Sequence, residues 1–290
     1  MVDEAHEKSR AVWDEMAAGC DSHRDYMWKT TKHVAEWLVE HVNPSPGNTL
    51  LDLAGGPGDT ILDLAGGPGD NGFLAAKRVG PDGKVIVTDF APEMVAVAER
   101  NAKADRLTNV ETRVLDAEKM DLEDDSVDGI ICRWGFMLML DPQTALEECR
   151  RVLKSDGHLA LSVWGGPEKN PWVTLTGMTM MQLGHQPPGD PFASGGMFSM
   201  AEPDKIRSML TSAGFEDITV EEMPVNWSYD SFDEAWEFVT EVAGALAALV
   251  KTLPEDEVAR LRAALEANSK PYQDGSRITL PGVTVNASVS

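Results

Sequence analysis

A chain of 290 residues, 42% hydrophobic and 25% charged, can bury a full core as one large domain or as a domain with a cap. Its net charge of -23 repels phosphate backbones and anionic lipid headgroups, which sets nucleic acid aside as a partner. Cys20, Cys132 and Cys149 lack metal-ligand or CxxC spacing, no apolar run approaches the ~18 residues of a membrane span, and Met1-Val2-Asp3-Glu4 does not fit a signal peptide. The reading is a cytoplasmic protein with buried, reduced thiols and no metal centre.

Large apolar residues at helical spacing predict helices over 4–16 and 26–43, which form an N-terminal helical lid within residues 1–48. Asn43-Pro44-Ser45-Pro46-Gly47-Asn48 breaks the second helix. Next comes a tandem repeat: Thr49-Leu50-Leu51-Asp52-Leu53-Ala54-Gly55-Gly56-Pro57-Gly58-Asp59 is followed at once by Thr60-Ile61-Leu62-Asp63-Leu64-Ala65-Gly66-Gly67-Pro68-Gly69-Asp70, with Leu50 against Ile61 the one difference. Each copy is an apolar strand-like run, an acidic residue and a glycine-rich turn, which is how a nucleotide-type cofactor site opens in an α/β protein.

After the repeat, helix and strand alternate: helix 73–79, strand 84–88, helix 92–104 with Pro92 in its first turn, strand 110–115, strand 129–132, helix 142–154 closed near Gly157, and strand 158–164. That rhythm implies βαβ crossovers and a doubly wound, mostly parallel sheet over residues 49–164. From Gly165 the pattern loosens. A mobile, Met-rich segment over 165–200 precedes a helix at 205–213, a strand at 217–225, two helical runs at 232–252 and 255–268, and a strand-like segment at 277–285. Residues 165–290 therefore read as late sheet strands with an inserted mobile segment and a helical cap.

The second copy continues as Gly67-Pro68-Gly69-Asp70-Asn71-Gly72, a G-x-G-x-x-G run, and Asp89 ends the next strand 20 residues beyond Gly69. Taken alone, this is also the dinucleotide fingerprint, with Asp89 on the ribose hydroxyls. Asp63 tilts the reading, because a carboxylate before the glycines repels a pyrophosphate and favours a cationic amino group, directly or through water. Asp116-Ala117, at the end of the third strand, can accept from an exocyclic amine such as that of adenine. S-adenosylmethionine offers an ammonium, a ribose and an adenine without phosphate.

The runs Leu62–Asp70, Val87-Thr88-Asp89 with Pro92-Glu93-Met94, Asp116-Ala117-Glu118, Cys132-Arg133-Trp134-Gly135-Phe136 and Arg150-Arg151-Val152-Leu153-Lys154, in this order, resemble class I S-adenosylmethionine-dependent methyltransferases. The ubiquinone and menaquinone C-methyltransferase group is the nearest in character. The resemblance spans residues 50–165 and fades beyond. It implies a Rossmann-like fold in which Asp63, Ala65, Gly67, Pro68 and Gly69 hold the methionine end of S-adenosylmethionine. Asp89 would bind the ribose, Phe90 and Met94 would lie near the adenine, Asp116 and Ala117 would read its edge, and Arg133 would line the floor through its backbone. The tandem copy is not a family feature. Gly19-Cys20 stands where relatives often carry an aromatic residue, leaving Tyr26 or Trp28 to supply that lid.

Only the second copy is followed by a helix, so it is expected to form the working loop, with the first displaced toward the lid as an insertion. The expected activity is methyl transfer to a small, apolar or aromatic molecule. A sulfonium methyl is already a strong electrophile, so alignment and exclusion of water carry the reaction, and no base is needed for a phenolate or enolate-like carbon. His23 and His185 are the candidate bases, and the methionines of 165–200 are candidates to adapt around a flat substrate. A nicotinamide oxidoreductase and a non-catalytic S-adenosylmethionine-binding protein stay open as alternatives, and the catalytic residue and oligomeric state stay unassigned.

Overall fold

The computed structural model describes residues 2–42, 60–186, 189–242 and 245–289. Helices α1 (Val2–Ser22) and α2 (Arg24–His41) lead into the core units β1 (Thr60–Asp63), α3 (Asp70–Val79), β2 (Lys84–Asp89), α4 (Pro92–Ala104), β3 (Val110–Val114), β4 (Val127–Arg133), α5 (Pro142–Val152) and β5 (Leu153–Trp164). The later elements are α6 (Pro171–Gln182), α7 (Pro203–Ser212), β6 (Thr219–Pro224), β7 (Trp227–Tyr229), α8 (Phe232–Val242), α9 (Ala245–Thr252), α10 (Glu255–Ser269), β8 (Gln273–Asp274), β9 (Arg277–Leu280) and β10 (Val283–Val289).

Among the described residues, seven strands form the main sheet in the order β3-β2-β1-β4-β5-β10-β6. The first five run parallel, and β10 is antiparallel to both β5 and β6. Ile61 and Leu62 of β1, Val85 to Val87 of β2 and Ile130 to Cys132 of β4 are all buried, as continuous apolar runs must be when both faces of a parallel sheet are covered. On one face Trp37, Leu38 and Val42 from the α2 region pack with Phe73 and Ala76 of α3 against Ile61 and Ile131. On the other, Leu146 and Cys149 of α5 and Ile206 and Leu210 of α7 pack against Leu62, Ile130 and Leu159. All three cysteines are free and buried.

The second copy supplies both β1, between β2 and β4, and the entry to α3. The first copy, residues 49–59, and the expected displacement of that copy toward the lid lie outside the described residues.

Several elements depart from the sequence expectation, each for a packing reason. The first helix runs on to Ser22 because Met16, Ala17 and Cys20 continue its apolar stripe onto Met94 and Val97 of α4. The C-terminal half of α2 covers the sheet rather than a cofactor mouth. Strand β5 starts at Leu153, not at 158, since buried Leu153 pairs with Val127 and the pairing resumes after a register shift at Gly129↔His158. The single strand expected over 277–285 is two, broken at Pro281-Gly282. There the Gly282 carbonyl accepts from the Val225 N–H at 2.8 Å, and a Cβ on Gly282 would meet the Val225 oxygen at 2.8 Å. β9 joins β7 and β8 in a small antiparallel sheet, while β10 enters the main one. Within the segment expected to be mobile, α6 buries Trp172, Val173, Leu175 and Met180. Among the described residues, no helix is long and apolar enough to cross a membrane.

Candidate functional site

The chain reverses its direction of travel across the sheet between β1 and β4, and the carboxyl ends of such flanking strands leave a crevice. The glycine turn fills the floor of that crevice. Leu64 donates its N–H to Ile131 at 2.8 Å, Gly66 to Thr88 at 2.8 Å, and Gly69 to Gly66 at 3.0 Å. Gly69 takes φ +97° as it opens α3, and a Cβ there would lie 2.4 Å from Phe73 Cζ, so this position needs glycine on two counts. Across the crevice, a Cβ on Gly135 would sit 2.6 Å from the Ala65 Cβ. That close approach accompanies left-handed backbone at Ala65 (φ 52°) and Trp134 (φ 60°), both on the cavity wall. Strained non-glycine residues held by surrounding packing are a mark of functional sites.

Asp63 is fully buried beneath the turn, where one carboxylate oxygen accepts the Gly72 N–H at 2.8 Å and the other has no partner among the described residues. Asp89 ends β2 and accepts from the Gly67 N–H at 3.1 Å and the Ala91 N–H at 2.9 Å, one bond to each oxygen. Burial raises the Asp89 carboxyl, against the pull of these N–H groups. Burial lowers the Arg133 guanidinium, opposed by Asp70 and Asp63.

Burial also pushes the Asp63 carboxyl up to about 8, against the Gly72 N–H and Arg133. The folded protein thus keeps a proton that the unfolded chain releases near pH ~4. The stability tied to that proton is complete below ~4 and is lost as the pH rises toward about 8. Denaturant unfolding of wild type is therefore expected to show stability falling between about pH 5 and about pH 8 from this group, and Asp63→Asn to reduce that slope. An unchanged slope in the variant would remove Asp63 as its source.

Of the residues predicted from sequence, Ala65, Gly67, Pro68, Asp89, Phe90, Met94, Asp116, Ala117 and Arg133 line one cavity. Asp63 and Gly69 do not reach it; they lie behind the turn and shape it. Arg133 was expected to contribute its backbone, and its side chain also faces the cavity, donating from Nη1 to the Thr31 hydroxyl at 2.5 Å. Asp116 accepts from the Glu118 N–H at 2.9 Å.

The aromatic lid is not Tyr26 or Trp28. Tyr26 packs among Trp227, Tyr229 and Phe238, with ring centroids 5.3 to 6.1 Å apart, and Trp13 of α1 faces the cavity instead. His6, Ser9 and Cys20 of the same helix also line it, as do Met27 and Thr31 of α2. Their spacing along one helical stripe was the available signal; it placed the helix in the lid without saying which of its residues face the cofactor cavity. The α1 helix is tied down over the site by Arg10, 4.6 Å from the Phe90 ring centroid, and by Asp14, which accepts the Glu93 N–H at 3.0 Å.

Neither candidate base lines the cavity. His23 pairs with Glu241 at 2.8 Å, and His185 lies 3.6 Å from Glu257 on α10. Both side chains are held by carboxylates of the C-terminal helices instead. Nor do the methionines of 165–200 surround the cavity: Met180 packs on Val250 and Leu261, Met200 sits in the main core, and Met178 and Met181 are exposed. The cavity methionines are Met27, Met94 and Met139.

A family model described as a methyltransferase domain matches residues 56–176. The chain is 33% identical over 171 residues to the ubiquinone/menaquinone biosynthesis C-methyltransferase UbiE of Hydrogenovibrio crunogenus, covering 54% of this chain and 59% of that protein. It is 34% identical over 180 residues to a 2-phytyl-1,4-naphtoquinone methyltransferase of Trichormus variabilis, covering 57% of this chain and 69% of that one. The chain spans about two fifths to three fifths of the length of several curated relatives it matches. In fold it is similar to the solved phospholethanolamine N-methyltransferase 2 of Haemonchus contortus, a complex with S-adenosylhomocysteine, with a TM-score of 0.55 at 15% identity over 93% of this chain and 57% of the other.

Proposed function

Because the chain belongs to the class I S-adenosylmethionine-dependent methyltransferases, we propose that it moves a methyl group from S-adenosylmethionine to a small apolar or aromatic molecule. The observation that carries this reading is the Asp89 carboxylate at the carboxyl end of β2, on the cavity wall beside the glycine turn, with acceptor capacity left beyond its backbone N–H bonds. Two ribose hydroxyls are the natural donors for it. Asp116 and Ala117 would then meet the adenine edge, with Phe90 and Met94 near it. The backbone of Ala65, Gly67 and Pro68 follows the methionine end, while Asp63 and Gly69 set the shape of that turn. A buried side-chain oxygen of Asn71, on the cavity wall and without a partner among the described residues, fits a cationic ammonium close by.

When bound, S-adenosylmethionine supplies an electrophilic methyl on sulfur, and the acceptor's electron pair forms the new bond as the C–S pair passes to sulfur. The protein aligns the acceptor and excludes water. Trp13 and His6 of α1 cover one end of the cavity, and Met27, Thr31 and Trp227 the other. A nicotinamide dinucleotide is disfavoured, because the carboxylates of Asp89, Asp116 and Glu118 outnumber Arg133 among the charged walls its pyrophosphate would meet. The net charge of -23 argues against a nucleic-acid acceptor, and three free buried cysteines support a cytoplasmic setting.

Calorimetric titration tests the reading. S-adenosylhomocysteine is expected to bind and NADH to leave the protein unchanged, and a panel of small aromatic acceptors is expected to include at least one that is methylated. Binding of NADH without S-adenosylhomocysteine would overturn it, while cofactor binding with no turnover across the panel would favour a non-catalytic binding protein.

A further inference from the structure

The cavity has two ends of opposite chemistry. On the β2 and β3 side of the glycine turn its walls carry the carboxylates of Asp89, Asp116 and Glu118; on the β4 side they carry Arg133, with Met27, Thr31, Trp134 and Trp227. This second end has donors to spare. A guanidinium has five N–H groups, and the only side-chain hydrogen bond of Arg133 among the described residues goes to the neutral Thr31 hydroxyl. Neither nearby carboxylate takes up those donors, since Asp70 is engaged by Arg24 at 2.8 Å and Asp63 accepts from the Gly72 N–H at 2.8 Å.

Trp227 adds a second donor. Its indole N–H is buried with no partner among the described residues, in a side chain only 3% exposed. A buried donor left unpaired costs ~1–3 kcal/mol until something accepts from it. Helix α2 spaces the two groups: Tyr26 packs on Trp227 at 6.1 Å between centroids, while Thr31, five residues on and thus ~7 Å along the helix axis, holds Arg133. The wall between is aromatic and firm, with Arg133 5.1 Å from the Trp134 ring centroid and Trp134 stacked on Trp164 at 4.2 Å.

We propose that this end is the acceptor subsite and that it selects an aromatic molecule carrying an ionised oxygen, with the oxyanion on the Arg133 guanidinium, the Trp227 N–H on a polar atom of the acceptor, and Met27 against its ring. The proposal rests on the methyltransferase reading and goes further by assigning charge to the acceptor. An acceptor ionised on binding needs no general base. His6, the one histidine on the cavity wall among the described residues, lies at the other end, 3.4 Å from Glu118. An anion is also drawn toward a sulfonium where water is excluded. The methionine carboxylate of the cofactor offers the same oxyanion chemistry, so the test separates the two sources.

The probe is 4-nitrophenol, whose ionised form is read directly from its absorbance, titrated into protein saturated with S-adenosylhomocysteine. In wild type its apparent pKa is expected to drop by about one to two units on binding. Arg133→Gln is expected to abolish the drop and weaken nitrophenol binding about tenfold, Arg133→Lys to keep part of it, and Trp227→Phe to weaken binding severalfold with the drop intact. S-adenosylhomocysteine affinity is expected to stay within about threefold in all of these variants, which also reports that each is folded. A drop of equal size in Arg133→Gln, or no nitrophenol binding by cofactor-loaded wild type, would sink the acceptor subsite. Loss of S-adenosylhomocysteine affinity in Arg133→Gln, with Arg133→Lys binding it normally, would transfer the anion site to the cofactor carboxylate and also overturn the proposal. Failure of wild type to bind S-adenosylhomocysteine at all would instead defeat the methyltransferase reading beneath it.

Discussion

Asp89→Ala is expected to weaken S-adenosylhomocysteine binding by about 100-fold or more, because two hydroxyl hydrogen bonds to a charged acceptor contribute about 1.5–3 kcal/mol each. The same change removes the acceptors for the Gly67 and Ala91 N–H groups, so the turn and the entry to α4 both loosen. Asp89→Asn keeps one oxygen and should fall between. Calorimetry on the folded variants measures the effect directly. A loss of less than threefold in Asp89→Ala would remove this carboxylate from the cofactor site, and with it the observation on which the functional reading rests.

The second large effect is expected at Asp63. Truncation to alanine leaves the Gly72 N–H in the first turn of α3 without its acceptor and opens space that Gly66 and Gly72 now fill closely around the carboxylate. A Cβ on Gly66 would lie 2.7 Å from that carboxylate and one on Gly72 would lie 2.9 Å away, which shows how tightly the turn is built on it. Asp63→Ala is expected to lower the unfolding free energy by about 2–4 kcal/mol and to abolish measurable S-adenosylhomocysteine binding. Asp52→Ala, at the matching position of the first copy, is expected to change neither by more than about 0.5 kcal/mol. The reverse pattern would mean that the first copy forms the working loop. Deletion cannot replace this pair of substitutions: removing residues 60–70 leaves one intact copy with Leu50 in the place of Ile61, and such a chain is expected to bind as well.

The apolar runs at Val85–Val87, Ile130–Cys132 and Leu159–Leu161 were legible as parallel strands because burial on both faces writes a continuous apolar signal. For the same reason Asp89 and Asp116 could be located at strand ends, and strand ends of such a sheet face its crevice. Helical stripes were harder to read. The stripe of α1 that carries His6, Ser9 and Trp13 to the cavity has the same period as one that packs on a core, and period alone does not say what lies opposite. The β9 and β10 segments were misread as one strand for a related reason, since alternation continues through Pro281-Gly282 while the chain changes sheets. His23 and His185 were chosen for their chemistry, and tertiary packing gave both to carboxylates outside the cavity.

By itself the sequence determined the class of fold, the glycine turn and the acidic strand ends, since these follow from local rules of burial, φ and strand termini. Tertiary structure decided how the second copy is seated, with Thr60–Asp63 paired between β2 and β4 and its glycine turn opening α3. It also decided what faces the far end of the cavity. Arg133, Trp134, Met27, Thr31 and Trp227 come from separate stretches of chain, and only packing α2 and β7 over β4 brings a guanidinium, an unpaired indole N–H and an aromatic wall to one place.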